Sequence, residues 1–244
     1  KNPPLYRKAT IQHAESPNQI VGLDYVQVEL HREDSNGKMV ETKRNVLTAV
    51  DMASGFAQQI VVPPGPHGLS KAFHQVWCRP YGHPKVVFMD PDHRNISSDM
   101  QRFLIRHNIQ LLHTAAESHW QLGQVEVANR ILRGMAQRVW RSFPDASPEE
   151  VIETCATARN EQLRRHGFSP AQWFLGRESR HAGALSDMSE QMNPMTKSQA
   201  LVDPQFADSL KLRDEAAKAF IEEHAKDTWR RAIAGRNRPM RGPY

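Results

Sequence analysis

Three carboxylates in this sequence stand where a charge needs a reason. Asp24 interrupts the apolar run VGLDYV, Asp90 ends the run KVVFMD, and Glu126 opens a helical segment after the irregular stretch AESHWQLG. A charge in a buried strand is costly unless it is paired or metal-bound. Three carboxylates brought to one point repel one another unless divalent cations lie among them. An all-oxygen donor set completed by water suits Mg²⁺ or Mn²⁺ better than zinc. A local role is also open to each acid: Asp24 beside a buried Arg, Asp90 capping the turn before Pro91, and Glu126 paired with Arg130 one helical turn on.

The elements that must position these acids can be read from the chain. Residues 20–30 alternate and are β-branched, which predicts a strand. Asn36-Gly37 signals a hairpin. NVLTAVDM and FAQQIVV predict two more strands, separated by Ala-Ser-Gly. After PPGPHG, a helix is expected over LSKAFHQVWCRPYG. KVVFMD then reads as a short buried strand, Ser97 or Ser98 as the cap of a helix, and IQLLHT as a strand. A helix is predicted from about Gln124 to Phe143. Capping signals at Ser147 and Ser169, each followed by Pro, open a helix to about Arg165 and a short one ending near Gly176. Three leading strands followed by βαβ units predict an α/β fold with a mixed sheet covered by helices.

The domain organisation expected is a linker over 1–18, a core over 19–178, a linker over 179–202, a long helix over 203–235 and a basic tail over 236–244. The long helix carries Phe206, Leu210, Ala217, Phe220 and Ile221 as a narrow apolar seam. It is expected to leave the core, without packing fully on it, and to meet another subunit or domain.

The 244 residues are 39% hydrophobic and hold no run of 18 apolar residues, so no membrane span is expected. KNPPLYRKAT has no apolar segment of the kind that opens a signal peptide. Cys78 and Cys155 are isolated and form neither a disulfide framework nor a CxxC site, which fits a reducing intracellular compartment. The 12 His form no HExxH and no Cys/His cluster. Of 32 Lys and Arg, five lie in the last 16 residues, which contain no acid. The remaining 27 balance the 27 Asp and Glu, so the net charge of +5 belongs formally to the tail. A basic tail suits a polyanion such as nucleic acid, and equally a solubilising end.

The order of these segments resembles the catalytic core of retroviral and long-terminal-repeat retrotransposon integrases. Glu126 follows Asp90 with 35 residues between them, which is the family's Asp…Asp-x35-Glu arrangement. SHWQLGQVE is similar to its Ser/Pro-x-x-Gln-Asn-Gly-x-x-Glu segment, with Leu122 in place of the usual Asn and Val127 where Arg is frequent. FSPAQWFLGR is similar to the Ser-Pro motif that closes many retroelement cores. Asp92 is a rival to Asp90 that would leave 33 residues before Glu126. The resemblance covers residues 20–178. It implies an RNase H-like fold, a five-stranded mixed sheet flanked by helices, to which the long helix over 203–235 adds a C-terminal helical extension. It further implies Asp24, Asp90 and Glu126 as catalytic residues and ligands of two Mg²⁺ or Mn²⁺ ions. The reaction implied is trimming of retroelement DNA 3′ ends and their transfer into target DNA, by a nuclear homo-oligomer cut from a polyprotein. Asp51 matches a position the family keeps without making it a ligand.

DNA contacts are expected from His119, Gln121, Asn129, Arg130, Arg133, Arg230, Arg231, Arg236, Arg238 and Arg241. Gln137 and Arg141 are expected on a solvated helix face, and Trp77, Trp140 and Trp173 in the core. Two rival functions share the fold: a catalytically silent nucleic-acid-binding or interaction module, and an RNase H-like nuclease.

Overall fold

The computed structural model describes residues 14–33, 37–64, 68–89, 97–113, 123–163, 167–177 and 204–234. Five strands form one mixed sheet in the order β3-β2-β1-β4-β5. β1 (Ile20–Glu33), β2 (Met39–Asp51) and β3 (Ala57–Val62) form an antiparallel meander, while β4 (Val86–Met89) and β5 (Gln110–His113) add in parallel beside β1. This is the mixed sheet covered by helices that the sequence pattern predicts, and it matches the RNase H-like fold that the resemblance implies.

The helices are α1 (Leu69–Phe73), continued by a π turn (His74–Cys78) into α2 (Arg79–Tyr81), then α3 (Ser98–Arg106), α4 (Gly123–Ser142), α5 (Pro148–Gln162), α6 (Pro170–Leu175) and α7 (Pro204–Ala234). The helix expected over 69–82 is therefore not uniformly α. Pro80 has no N–H to donate back into it, and Arg79 N–H reaches His74, five residues back. Ser97, Ser147 and Ser169 each accept a hydrogen bond from the backbone three residues on, and Ser169 completes a reciprocal box with Gln172.

Because side chains alternate along each strand, the sheet presents two apolar faces. Val26, Val28, Val46 and Val61 meet α4, α5 and α7 on one face. Val21, Leu23, Leu47 and Val62 meet Phe73, Trp77, Met100, Leu104 and Ala171 on the other. Phe73 and Trp77 are fully buried. Burial of large side chains of this kind contributes about 2–3 kcal/mol each.

Four expectations change. Trp77 and Trp140 are core residues, but Trp173 is 47% exposed and packs edge-on against Phe168. Gln137 does not face solvent. Its carboxamide accepts from His31 N–H (3.0 Å) and donates to His31 C=O (2.6 Å), and Arg141 reaches the same carbonyl at 3.4 Å. The reason is a length mismatch: β4 pairs with β1 only over residues 20–23, which leaves the rest of that β1 edge for α4 to satisfy. Asn18 is a knot rather than a linker residue. Its N–H binds Asp51, its amide donates to Tyr81 C=O, and its oxygen accepts from the Trp77 indole.

The fourth change concerns α7. It does not leave the core. Leu212, Ala216, Ala219 and Phe220 are buried in the cluster formed with α4 and α5. A helix of small and apolar residues lies closely on another helix, and Gly134 in α4 makes room for the Glu223 side chain, whose Cδ would sit 2.6 Å from a Cβ there. Leu210 is partly buried, and the Phe206 side chain lies outside the described residues. Beyond Asp227, Trp229 and Ile233 are 70% and 80% exposed. Among the described residues, no helix is long and apolar enough to cross a membrane.

Candidate active site

Asp24 is half-buried and points to the α4 face of the sheet. It lies directly after Leu23, which pairs with Met89, the last residue of β4. Asp90 is next in the chain after Met89 and lies outside the described residues. Sites in sheets of this kind form at the carboxyl ends of parallel strands. One Asp24 oxygen accepts from Tyr25 N–H (2.8 Å), and the other accepts from the side-chain amide of Asn129 in α4 (2.8 Å).

Glu126 stands in the first turn of α4 and is exposed. Asn129 is three residues on, so their Cβ atoms are about 5–6 Å apart. The start of α4 is thereby tied to Asp24. Arg130, the i+4 residue available to Glu126, is ion-paired with Asp227 of α7. Asp227 is buried and also receives Arg231. Arg133 is exposed on the outer side of α4, and Arg230 is exposed on α7. Asn129, expected at the DNA surface, is 2% exposed and faces inward. His119, Gln121, Arg236, Arg238 and Arg241 lie outside the described residues.

Asp51 is fully buried and structural: besides Asn18 it accepts from the Ser54 N–H and hydroxyl, which closes the turn between β2 and β3. Two residues absent from the sequence reading join the site. Thr48 is paired with Asp24 across β1 and β2, and Gln59 with Thr48 across β2 and β3. Paired residues share a face, so Asp24, Thr48 and Gln59 form a polar row across three strands beneath α4. Their signal in the sequence is the one that singles out Asp24, a polar residue at an inward position of an otherwise apolar strand.

The donor chemistry available here is hard carboxylate oxygen. Both cysteines are enclosed in the cores on opposite faces of the sheet. Asp24 and Glu126 therefore fit Mg²⁺ or Mn²⁺ and not a thiolate-seeking metal. Among the described residues no group of three metal-ligating side chains is assembled.

No protein-family model matches the sequence, and no curated protein matches it. The solved structures are informative. The HTLV-2 integrase catalytic core in complex with magnesium aligns in its dimeric and trimeric forms with TM-score 0.53 and 18% identity, over 66% of this chain and 98% and 99% of theirs. The intasome of simian T-cell lymphotropic virus in complex with the PP2A regulatory subunit B56 gamma aligns with TM-score 0.58 and 16% identity, over 70% of this chain and 59% of that chain. The fold is that of retroviral integrase catalytic cores. At this identity the likeness speaks for the fold, and function must be argued from the site.

Proposed function

We propose that the chain is an integrase core, a DNA polynucleotidyl transferase in which Asp24, Asp90 and Glu126 are the catalytic carboxylates. The observation that carries this reading is the hydrogen bond from Asn129 to Asp24, which ties the helix turn bearing Glu126 to the strand bearing Asp24. Structural neighbours that are integrase cores, one pair of them magnesium complexes, support it.

The residues divide the task. Asp24, Asp90 and Glu126 would hold Mg²⁺ or Mn²⁺, which when bound supplies activation of a hydroxyl nucleophile and stabilisation of the leaving oxygen. Asn129 keeps the Asp24 carboxylate in one orientation. Arg133 offers an exposed guanidinium to phosphate on the Glu126 side of α4. Placement and charge neutralisation are the main work of a phosphoryl-transfer site. The partners are DNA ends, target DNA and further copies of the chain, with action in the nucleus.

The test is 3′ processing and strand transfer on oligonucleotides matching the element's ends, with Mg²⁺ or Mn²⁺. Asp24→Asn, Asp90→Asn and Glu126→Gln should each abolish both steps, and Asp92→Asn should only weaken them. Hydrolysis without joining would make the protein a nuclease. DNA binding without cleavage by the wild type would make it a silent module.

A further inference from the structure

Asn129 is itself held. Its side-chain oxygen accepts from the Thr48 hydroxyl (2.6 Å), and Thr48 in turn accepts from the Gln59 amide at 3.4 Å, the longest bond of the series. Thr48, Asn129 and Gln59 are all buried, at 0%, 2% and 2% exposure. Every donor points the same way, from Gln59 through Thr48 and Asn129 to Asp24.

The direction follows from donor chemistry. An ionised carboxylate only accepts, so Asn129 must turn its NH₂ to Asp24 and its oxygen to Thr48. Thr48 must then donate its single proton to that oxygen, and its lone pairs are left for the NH₂ of Gln59. The Gln59 oxygen is left buried with no hydrogen-bond partner among the described residues. A buried polar atom without a partner is a cost, and here it falls at the far end of the series. Bonds aligned in one direction polarise one another.

We infer that Thr48 is a positioning residue of the site, setting Asp24 through Asn129, with Gln59 backing Thr48 from the edge strand. This rests on the proposed metal role of Asp24. Groups that orient a metal-binding carboxylate typically change metal affinity or activity by about 10–100-fold when removed.

Thr48→Val keeps the shape and the β-branch but removes the donor, and Thr48→Ser restores it. Three measurements on the full chain decide the matter: hydrogen exchange of the Asn129 side-chain amide by NMR, Mn²⁺ affinity by electron paramagnetic resonance, and the separate kcat and KM of strand transfer. In Thr48→Val the Asn129 amide should lose its slow exchange, Mn²⁺ affinity and kcat should fall about 10-fold or more, and KM for DNA should hold. Thr48→Ser should return all three to near wild type. Equal protection of the Asn129 amide in Thr48→Val, or unchanged Mn²⁺ affinity where the wild type binds Mn²⁺, overturns the inference. If Thr48→Val does not fold, Gln59→Met takes its place, with a smaller loss in the same measurements expected and no change overturning it. A wild type that neither binds Mn²⁺ nor joins DNA would sink the proposed function, and the Asn129 exchange would still decide the positioning role.

Discussion

Asn160 of α5 makes both hydrogen bonds to Ala57 that a neighbouring strand would make: its oxygen accepts from Ala57 N–H (2.9 Å) and its amide donates to Ala57 C=O (2.6 Å). β3 is an edge strand, and its outward backbone groups at this point are buried under α5. Gln137 does the same for His31 on the open part of β1. Two helix carboxamides thus replace the missing strands. The neighbouring Arg159 adds a bond to Gly55 C=O at 2.9 Å.

Replacing Asn160 by Leu should therefore cost about 2–6 kcal/mol, since two buried backbone groups lose their partners at about 1–3 kcal/mol each. Gln137→Leu should cost less, because His31 is only partly buried. Urea denaturation of both variants checks the order. Equal and small losses would mean that water reaches Ala57.

The docking of α7 should depend on apolar burial more than on its ion pairs. Arg138 of α4 binds Glu215 at 2.9 Å and also pairs with Glu222, but its side chain is 36% exposed. Solvent screening at that exposure holds Arg138→Met to below about 1 kcal/mol. Phe220→Ala should cost about 3–5 kcal/mol and expose α7 to protease. Release of α7 by 1 M NaCl alone would reverse the ranking.

His83, His74 and His107 meet around Phe103, with the His83 and His107 rings stacked 4.3 Å apart. Burial first, and then the charges of His107 and His74, hold His83 below the usual histidine value. The unfolded chain then takes up this proton before the folded one does. The associated stability is intact above about pH 6.5 and is lost as pH falls below it. Urea midpoints measured between pH 7.5 and 5 should fall less steeply for His83→Gln than for the wild type.

Burial pushes the Cys78 thiol up to about 12, and it pushes Cys155 up as well. At pH 8 only about one Cys78 in 10⁴ is a thiolate, the reactive form. A disulfide reagent should thus leave the native protein unmodified at pH 8 and titrate two thiols in denaturant. Reaction of the native protein at the denatured rate would show that one core opens readily.

On duplex DNA, Arg133→Gln should make the slope of log K against log salt shallower by about 0.9. Arg130→Gln should change it less, because Asp227 already neutralises that guanidinium. A larger change for Arg130 would mean that α7 swings away when DNA binds.

The strands, the helix order and the five-stranded mixed sheet were legible in the sequence. Alternation, turn residues and serine caps are local signals that act within a few residues. The oddity of Asp24 was legible too, since a carboxylate in an apolar run contradicts its surroundings. What Asp24 touches was not. Thr48 and Asn129 lie 24 and 105 residues away in the chain, and only strand register and helix placement bring them to it. The docking of α7 likewise rests on small residues and on Gly134, which makes room for Glu223. A linear pattern shows that a helix has an apolar seam. The surface that the seam meets is decided by shape, and shape exists only once the sheet and its helices have packed.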